Sequence, residues 1–318
     1  MSDDAGKVRR LKVSDDDSDQ RLDNFLFRHL KGVPKGHVYR LLRTGQIRVN
    51  SRRSKPEYRL QSGDELRLPP VRQGEPVSLQ TPRDWQRQVL SDAILYEDPS
   101  LLVLDKPAGM AVHGGSGQSL GVIEALRVMR PAEHRLELVH RLDRETSGCL
   151  VIARKRSALR GLHAAIREGR MEKRYLALLV GRWEGGEQVV TAALEKNQLQ
   201  GGERMVRVAA EGKSAESRFR PVSRFAEATL VEVTIPTGRT HQIRVHAAHI
   251  GHPVAGDEKY GDREANKRFR SLGLRRMFLH AHSLSFDHPV SGEPVSVSAP
   301  LDDELRSVVD RLESGVRG

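Results

Sequence analysis

Val139-His140-Arg141-Leu142-Asp143-Arg144-Glu145-Thr146-Ser147-Gly148 lies between two apolar runs, one from Leu136 to Val139 and the other Cys149-Leu150-Val151-Ile152-Ala153. Short runs rich in leucine and β-branched residues read as buried strands. The loop between them carries two acids, two arginines and a histidine, and it closes on a glycine. Two readings compete. Polar loops on a rigid scaffold are where chemistry usually sits, but Asp143 and Thr146 can equally serve as turn residues bonding the local backbone.

Working outward, the 318 residues suggest two domains with room for a sizeable core. Lysine and arginine exceed the acids to leave a net charge of +11, which favours a polyanionic partner, nucleic acid before membrane. The single cysteine rules out a disulfide framework and a cysteine-based zinc site. Cys149 lies inside an apolar run and reads as a small buried hydrophobe. No apolar stretch approaches the ~18 residues of a membrane span, and Met1-Ser2-Asp3-Asp4 does not open a signal peptide. The expectation is a cytoplasmic protein without a membrane partner.

Residues 1–17 read as a disordered polar tail. Ser18 or Asp19 is expected to cap a helix whose Leu22, Phe25, Leu26 and Leu30 recur at helical spacing. Gly32-Val33-Pro34 breaks it. A second helix starts near Lys35, buries Val38, Leu41 and Leu42, and stops at Gly45. Ile47 and Val49, then Leu66 and Leu68 after the turn Ser62-Gly63-Asp64, alternate as strands do. Residues 21–70 hold 12 Lys or Arg against 4 Asp or Glu, a local charge of +8. Such a run is either a solvated face or, given its concentration, a surface that tracks phosphates. Its basic positions are Arg28, Lys31, Lys35, Arg40, Arg43, Arg48, Arg52, Arg53 and Lys55.

Residues 76–90 lack periodicity and read as a linker. Ala93 to Asp98 and Leu101 to Leu104 are expected strands, the second ending in Asp105-Lys106-Pro107-Ala108-Gly109. His113-Gly114-Gly115-Ser116-Gly117 follows; it has the spacing of neither a P-loop nor a dinucleotide fingerprint, so no nucleotide cofactor is indicated. Ser157 is expected to cap a helix closed by Gly169. Lys173 to Gly181 reads as a strand carrying Tyr175, and 182–230 as further β-structure with charged turns. Thr229 to Ile235 is a strand ending at Pro236-Thr237-Gly238-Arg239-Thr240, where Thr240 is placed to cap a helix bearing Arg244 and His246. Strands near Phe278 and Leu284 precede a C-terminal helix.

Histidines gather at 241, 246, 249 and 252, and again at 280, 282 and 288. His246 and His249 can share a helical face, but that helix holds no acid, and zinc pairs usually recruit carboxylates or thiols; no metal site is expected. No Gly-x-Ser-x-Gly elbow is present. Asp143 and Glu145, two residues apart on a loop, lie too close to bracket a sugar for two-carboxylate hydrolysis.

Two resemblances bear on these alternatives. Arg21-Leu22-Asp23, Leu41-Leu42-Arg43-Thr44-Gly45-Gln46-Ile47-Arg48-Val49-Asn50 and Gly63-Asp64 resemble the S4 RNA-binding domain. His140 to Gly148 resembles the signature loop of the RluA-type pseudouridine synthases, Pro236 to His246 their later motif, and Asp105 to Gly109 their early one. Glu145 stands where many relatives have Asp. The resemblance implies an α+β protein: a 1–17 tail, an S4 domain over 18–75, a linker over 76–90, and a catalytic domain over 91–318 built on a mixed, mainly antiparallel sheet with a central cleft. It implies that uridines of 23S rRNA are isomerised to pseudouridine by a monomer without a cofactor. Asp143 matches the catalytic aspartate, which either adds covalently or removes a sugar proton. Arg244 matches the arginine that holds it ionised and oriented, and Tyr175 the tyrosine packed on the base. Arg141 matches the loop arginine that replaces the flipped base. Lys106, His113 and Arg239, with Lys35, Arg40, Arg43 and Arg48 of the S4 region, are the implied RNA contacts. The competing readings are a non-catalytic RNA-binding assembly factor on the same fold, and an enzyme directed at tRNA or other rRNA sites.

Overall fold

The computed structural model describes residues 8–30, 32–71, 81–114, 120–133, 135–198 and 204–315. Lys31, Gly115, Ser116 and Gly117 fall outside them, as do the first seven residues of the expected tail and 76–80 of the expected linker. The chain divides into two units, 1–80 and 81–318.

The first unit runs β1 (Arg9–Lys12), α1 (Leu22–His29), α2 (Lys35–Arg43), β2 (Arg48–Val49) and β3 (Glu65–Leu68). The three strands form an antiparallel sheet in the order β1-β3-β2. Leu22, Phe25 and Leu26 of α1 meet Val38, Leu41 and Leu42 of α2 over Ile47, Val49, Leu66 and Leu68 in one buried core. Residues 9–12 correct the tail: Leu11 pairs with Leu66, a partner 55 positions away that no local pattern announces. The cap also differs. Arg21 precedes α1, and Asp19 instead adopts a left-handed φ of 61°.

The second unit begins with α3 (Asp84–Asp92), which corrects the expected linker over those positions; Leu90 is its buried anchor. In chain order there follow β4 (Ile94–Glu97), β5 (Leu101–Lys106), α4 (Val122–Met129), β6 (Glu137–Leu138), β7 (Ser147–Ala153), α5 (Arg156–Arg167) and β8 (Glu172–Val180). Then come β9 (Gln188–Thr191), β10 (Leu194–Gln198), β11 (Arg204–Val208), β12 (Glu216–Arg224), β13 (Ala228–Thr234) and α6 (Gln242–His249). The chain ends in α7 (Arg263–Ser271), β14 (Leu279–Asp287), β15 (Pro294–Ser298) and α8 (Asp303–Gly315).

Ten of these strands make one sheet, β4-β5-β7-β14-β8-β13-β12-β9, with β15 beside β14 and β6 beside β7. The pairings are antiparallel except β7 with β14. Strands β10 and β11 form a separate hairpin. The central strands read as unbroken apolar runs because both faces are covered. Leu102, Leu104, Leu150 and Ile152 face α3 and α4, whereas Leu101, Val103, Cys149 and Val151 face α5 and β15. On β8 and β13, Leu178 and Leu230 pack under α7 and α8. The seam between β7 and β14 is tight. Gly148 has φ +104°, and a Cβ there would lie 2.3 Å from the carbonyl oxygen of Ala281. Beside it, the Ser147 hydroxyl meets Nδ1 of His280, and Nε2 of His280 donates to the Ala299 carbonyl at 3.1 Å.

Two outcomes follow for stability. Gly148→Ala meets both positive φ and backbone, so urea denaturation should show a loss of about 2 kcal/mol or more. His280 is buried, which pushes its pKa down to about 4. A histidine depressed in the folded state is neutral in both states above ~6.5; below that the unfolded chain takes up a proton that the folded chain refuses. Stability should therefore fall as the pH drops from ~6.5 towards 4, by on the order of 3 kcal/mol from this residue, and His280→Gln should flatten that part of a denaturation series run across this range.

Candidate active site

The 139–148 loop leads into β7, an interior strand of the sheet. Its start is anchored at His140, whose Nε2 accepts the Val151 amide at 3.1 Å, and its end runs directly into β7. Thr146 closes the turn by donating its amide to the Asp143 carbonyl at 3.2 Å. A second loop, 106–110, clips the first: Gly109 N–H donates to Arg144 O at 2.9 Å, and Arg144 Nε donates back to Gly109 O at 3.0 Å.

Lys106 works at that junction and corrects its place among the RNA contacts. It is fully buried, and its ammonium donates to the carbonyls of Pro107 (2.8 Å), Met110 (2.9 Å) and Arg144 (3.1 Å). Burial pushes its pKa down to about 7. A side chain with no exposed surface and three internal acceptors has nothing to offer a phosphate.

Asp143 lines an open cleft whose walls include Arg141, Leu142, Tyr175, Arg239, His241, Ile243, Arg244 and Leu279. Tyr175 points there because it shares a face of β8 with Ala177 and Leu179, two and four residues on. Burial, and then the charge of Asp143, push its phenol upward, so it stays protonated at neutral pH. Arg244 arrives from the first turn of α6 and brings Nη1 to 3.5 Å from Asp143 Oδ2. The turn before α6 is built by Gln242. Its Oε1 accepts from Thr237 Oγ1 (2.8 Å) and Arg239 N–H (3.0 Å), and its Nε2 donates to Glu216 O (2.7 Å). The residue at the cap position is His241, not Thr240.

The cleft thus gathers Asp143, Tyr175, Arg244, Arg141 and Arg239 from three separate segments. Arg141 and Arg239 are exposed at the rim. His113 is not among the cleft's walls; it lies on its own loop, 4.0 Å from Glu124. Glu145 faces solvent beside Arg144 at 3.3 Å. His246 is held by Ser217 Oγ through Nδ1 and by Ala192 O through Nε2. In the first unit Lys35, Arg40, Arg43 and Arg48 are all exposed.

Sequence reasoning missed the partner that holds Arg244. Asp257 is buried and takes the guanidinium in a fork, Nε to Oδ2 at 2.7 Å and Nη2 to Oδ1 at 2.8 Å. Its Oδ1 also accepts the amides of Lys259 (2.8 Å) and Tyr260 (3.1 Å). Burial opposes both charges. The Arg244 hydrogen bonds and charge outweigh it at Asp257, whose pKa is lowered, and Asp257 in turn raises that of Arg244. The Tyr260 ring lies 5.0 Å from the guanidinium carbon. The available signal was an acid bracketed by Gly256 and Gly261, both in close backbone contact: a Cβ at Gly261 would lie 2.1 Å from Asp257 O.

Fold and cleft together define a class: an enzyme on a mixed, mainly antiparallel sheet that presents one carboxylate, held by a guanidinium, beside a buried phenol. Residues 100–249 match the family described as RNA pseudouridylate synthase, and residues 20–66 match the S4 domain. The chain is 51% identical to the ribosomal large subunit pseudouridine synthase C of Haemophilus influenzae, over 96% of this chain and 95% of that protein. With the protein of the same name from Escherichia coli K12 it shares 51% over 99% of both, and with that of Yersinia pestis 53% over 94% of both. Among solved structures, human RNA pseudouridylate synthase domain containing 4 superposes with a TM-score of 0.60 at 26% identity, over 72% of this chain and 96% of that one. The chain belongs to the RluA-type pseudouridine synthases, with an S4 domain at its N-terminal end. It is an RNA pseudouridine synthase.

Removing one member of a buried ion pair leaves the other uncompensated. Asp257→Ala should cost about 3–5 kcal/mol, and Asp257→Ala/Arg244→Met should recover part of that loss in a double-mutant cycle read by urea denaturation.

Proposed function

We propose that the protein isomerises specific uridines of 23S rRNA to pseudouridine, acting in the cytoplasm as a monomer, with Asp143 as the reacting carboxylate. The observation that carries this is the position of Asp143: in an open cleft, at a guanidinium held from behind, beside a buried phenol. The full-length likeness to enzymes named for the large ribosomal subunit supports the substrate.

The reaction breaks the bond from C1′ to N1 and makes one from C1′ to C5. N1 gains a proton and C5 loses one, so no net redox change occurs and no external group is consumed. A carboxylate serves either route, by adding to C1′ or by taking a sugar proton. In both, Arg244 keeps Asp143 aimed and its charge compensated. Tyr175 offers a flat apolar face for the detached uracil and a phenol near the ring for proton transfer. Extruding a stacked uridine costs a few kcal/mol, and exposed Arg141 is the side chain that fills the gap it leaves. Exposed Arg239 and His113, with Lys35, Arg40, Arg43 and Arg48 of the S4 domain, supply phosphate contacts.

Asp143→Asn should abolish product while leaving RNA affinity within about twofold, since a neutral isostere preserves the surface. Carbodiimide-stop primer extension on rRNA from cells carrying only that variant checks it; stops persisting at the target sites would sink the assignment. Replacing Arg40, Arg43 and Arg48 with alanine should weaken binding and lower the slope of log K against log salt by about 2–3, as loss of up to three phosphate contacts requires. A filter-binding salt titration measures this.

A further inference from the structure

Two side chains of the α6 segment approach the Asp143 carboxylate. Arg244 Nη1 approaches Oδ2 at 3.5 Å, and His241 Nε2 approaches the same oxygen at 3.8 Å. Both separations are longer than an ordinary hydrogen bond, so these are electrostatic contacts. What His241 does to Oδ2 depends on which ring nitrogen bears the proton, and two contacts decide that.

Nδ1 of His241 lies 2.8 Å from the Tyr260 hydroxyl. That hydroxyl already accepts the Val206 amide at 2.9 Å. A phenol has one hydrogen to give. If it goes to Nδ1, the imidazole proton sits on Nε2 and faces the carboxylate as a donor. In the other tautomer the phenol hydrogen loses this acceptor, and the Nε2 lone pair confronts a carboxylate oxygen. Both contacts select Nε2–H. Burial pushes the His241 pKa down against the pull of Asp143, so the ring is the neutral species to which this choice applies.

The backbone has a further mark. His241 sits at φ 54°, ψ 20°, a left-handed conformation that costs a non-glycine residue roughly 1–3 kcal/mol. The Gln242 bonds hold the turn in that shape from both sides. A residue kept in strain at the cleft wall, where asparagine or glycine would sit more easily, points to a task for the imidazole.

We propose that His241, fixed as its Nε2–H tautomer by Tyr260, is a positioning residue that acts with Arg244 to hold the Asp143 carboxylate in its reacting orientation. The inference rests on Asp143 being the reacting carboxylate. It gives His241 no role as a base, because its one lone pair is directed at Tyr260. It also ties the β10–β11 hairpin to the site, since Val206 on β11 supplies the amide that orients the Tyr260 hydroxyl.

The test uses the full-length protein and a 23S rRNA transcript tritiated at uridine C5, whose label is released when C5 bonds to C1′. His241→Asn tolerates the left-handed backbone, so its melting temperature should be unchanged or raised. Its kcat should fall roughly 100-fold, the scale for losing one preorganised donor, with KM and RNA affinity unchanged. Tyr260→Phe keeps the ring over Arg244 and removes only the hydroxyl; its kcat should fall about 3- to 10-fold, a partial loss of the same donor, at constant KM. An unchanged kcat in His241→Asn, or an effect confined to KM and RNA affinity, overturns the inference even where Asp143→Asn is inactive. Tritium release by Asp143→Asn at the wild-type rate would instead overturn the reading of Asp143 on which it rests.

Discussion

The Arg244–Asp257 fork is the interaction on which the rest of the site depends. A carboxylate in a cleft wall needs a counter-charge, and a guanidinium that is itself buried needs one too. The chain answers with an alternating series: Asp143, then Arg244, then Asp257, closed by the amides of Lys259 and Tyr260. Arg244 and Asp257 are both partnered within the protein, and Asp143 is the end of the series that lines the cleft. The planar fork suits this better than an ammonium would, because two of its nitrogens hold Asp257 while the third stays directed at Asp143.

The sheet makes that series possible by bringing distant segments to one place. The loop before β7, strand β8 and the turn between β13 and α6 are separated by tens of residues, yet β7, β14, β8 and β13 are adjacent. The β7–β14 pair is the parallel exception, short and pressed close at Gly148, and it sets where the 139–148 loop ends. Packing on both faces fixes these strands in register, because a slip of one residue would exchange one buried face for the other. The precision of the cleft is thus inherited from the core.

Features whose signal is local were legible in the sequence. Asp143, Tyr175 and Arg244 each sit in a contiguous motif, and the helices 22–29 and 35–43 show their apolar stripes without ambiguity. What escaped has its cause elsewhere in the chain. Residues 9–12 are a strand only because Glu65–Leu68 is there to pair with them. Helix 84–92 buries a single leucine, so periodicity had almost nothing to report. Asp257 and Tyr260 look like turn residues until α6 delivers a guanidinium to them. The cap of α6 fell on His241 instead of Thr240 because the first helical bond runs from the Val245 amide to the His241 carbonyl.

Lys106 shows why charge alone misleads in a basic chain. In a protein of net charge +11, a lysine beside a signature loop invites assignment to the phosphate-contacting surface. Its surroundings argue otherwise. Three carbonyl oxygens from two loops converge on one ammonium, which is how a cation is used to bind backbone segments together rather than to attract a ligand. The cost of burying it shows in a pKa lowered to about 7. What offsets that cost is the fixed distance between the 106–110 loop and the carbonyl of Arg144, next to Asp143. A lysine used in this way ties the 139–148 loop to the core, and so holds the segment that carries Asp143 against the sheet.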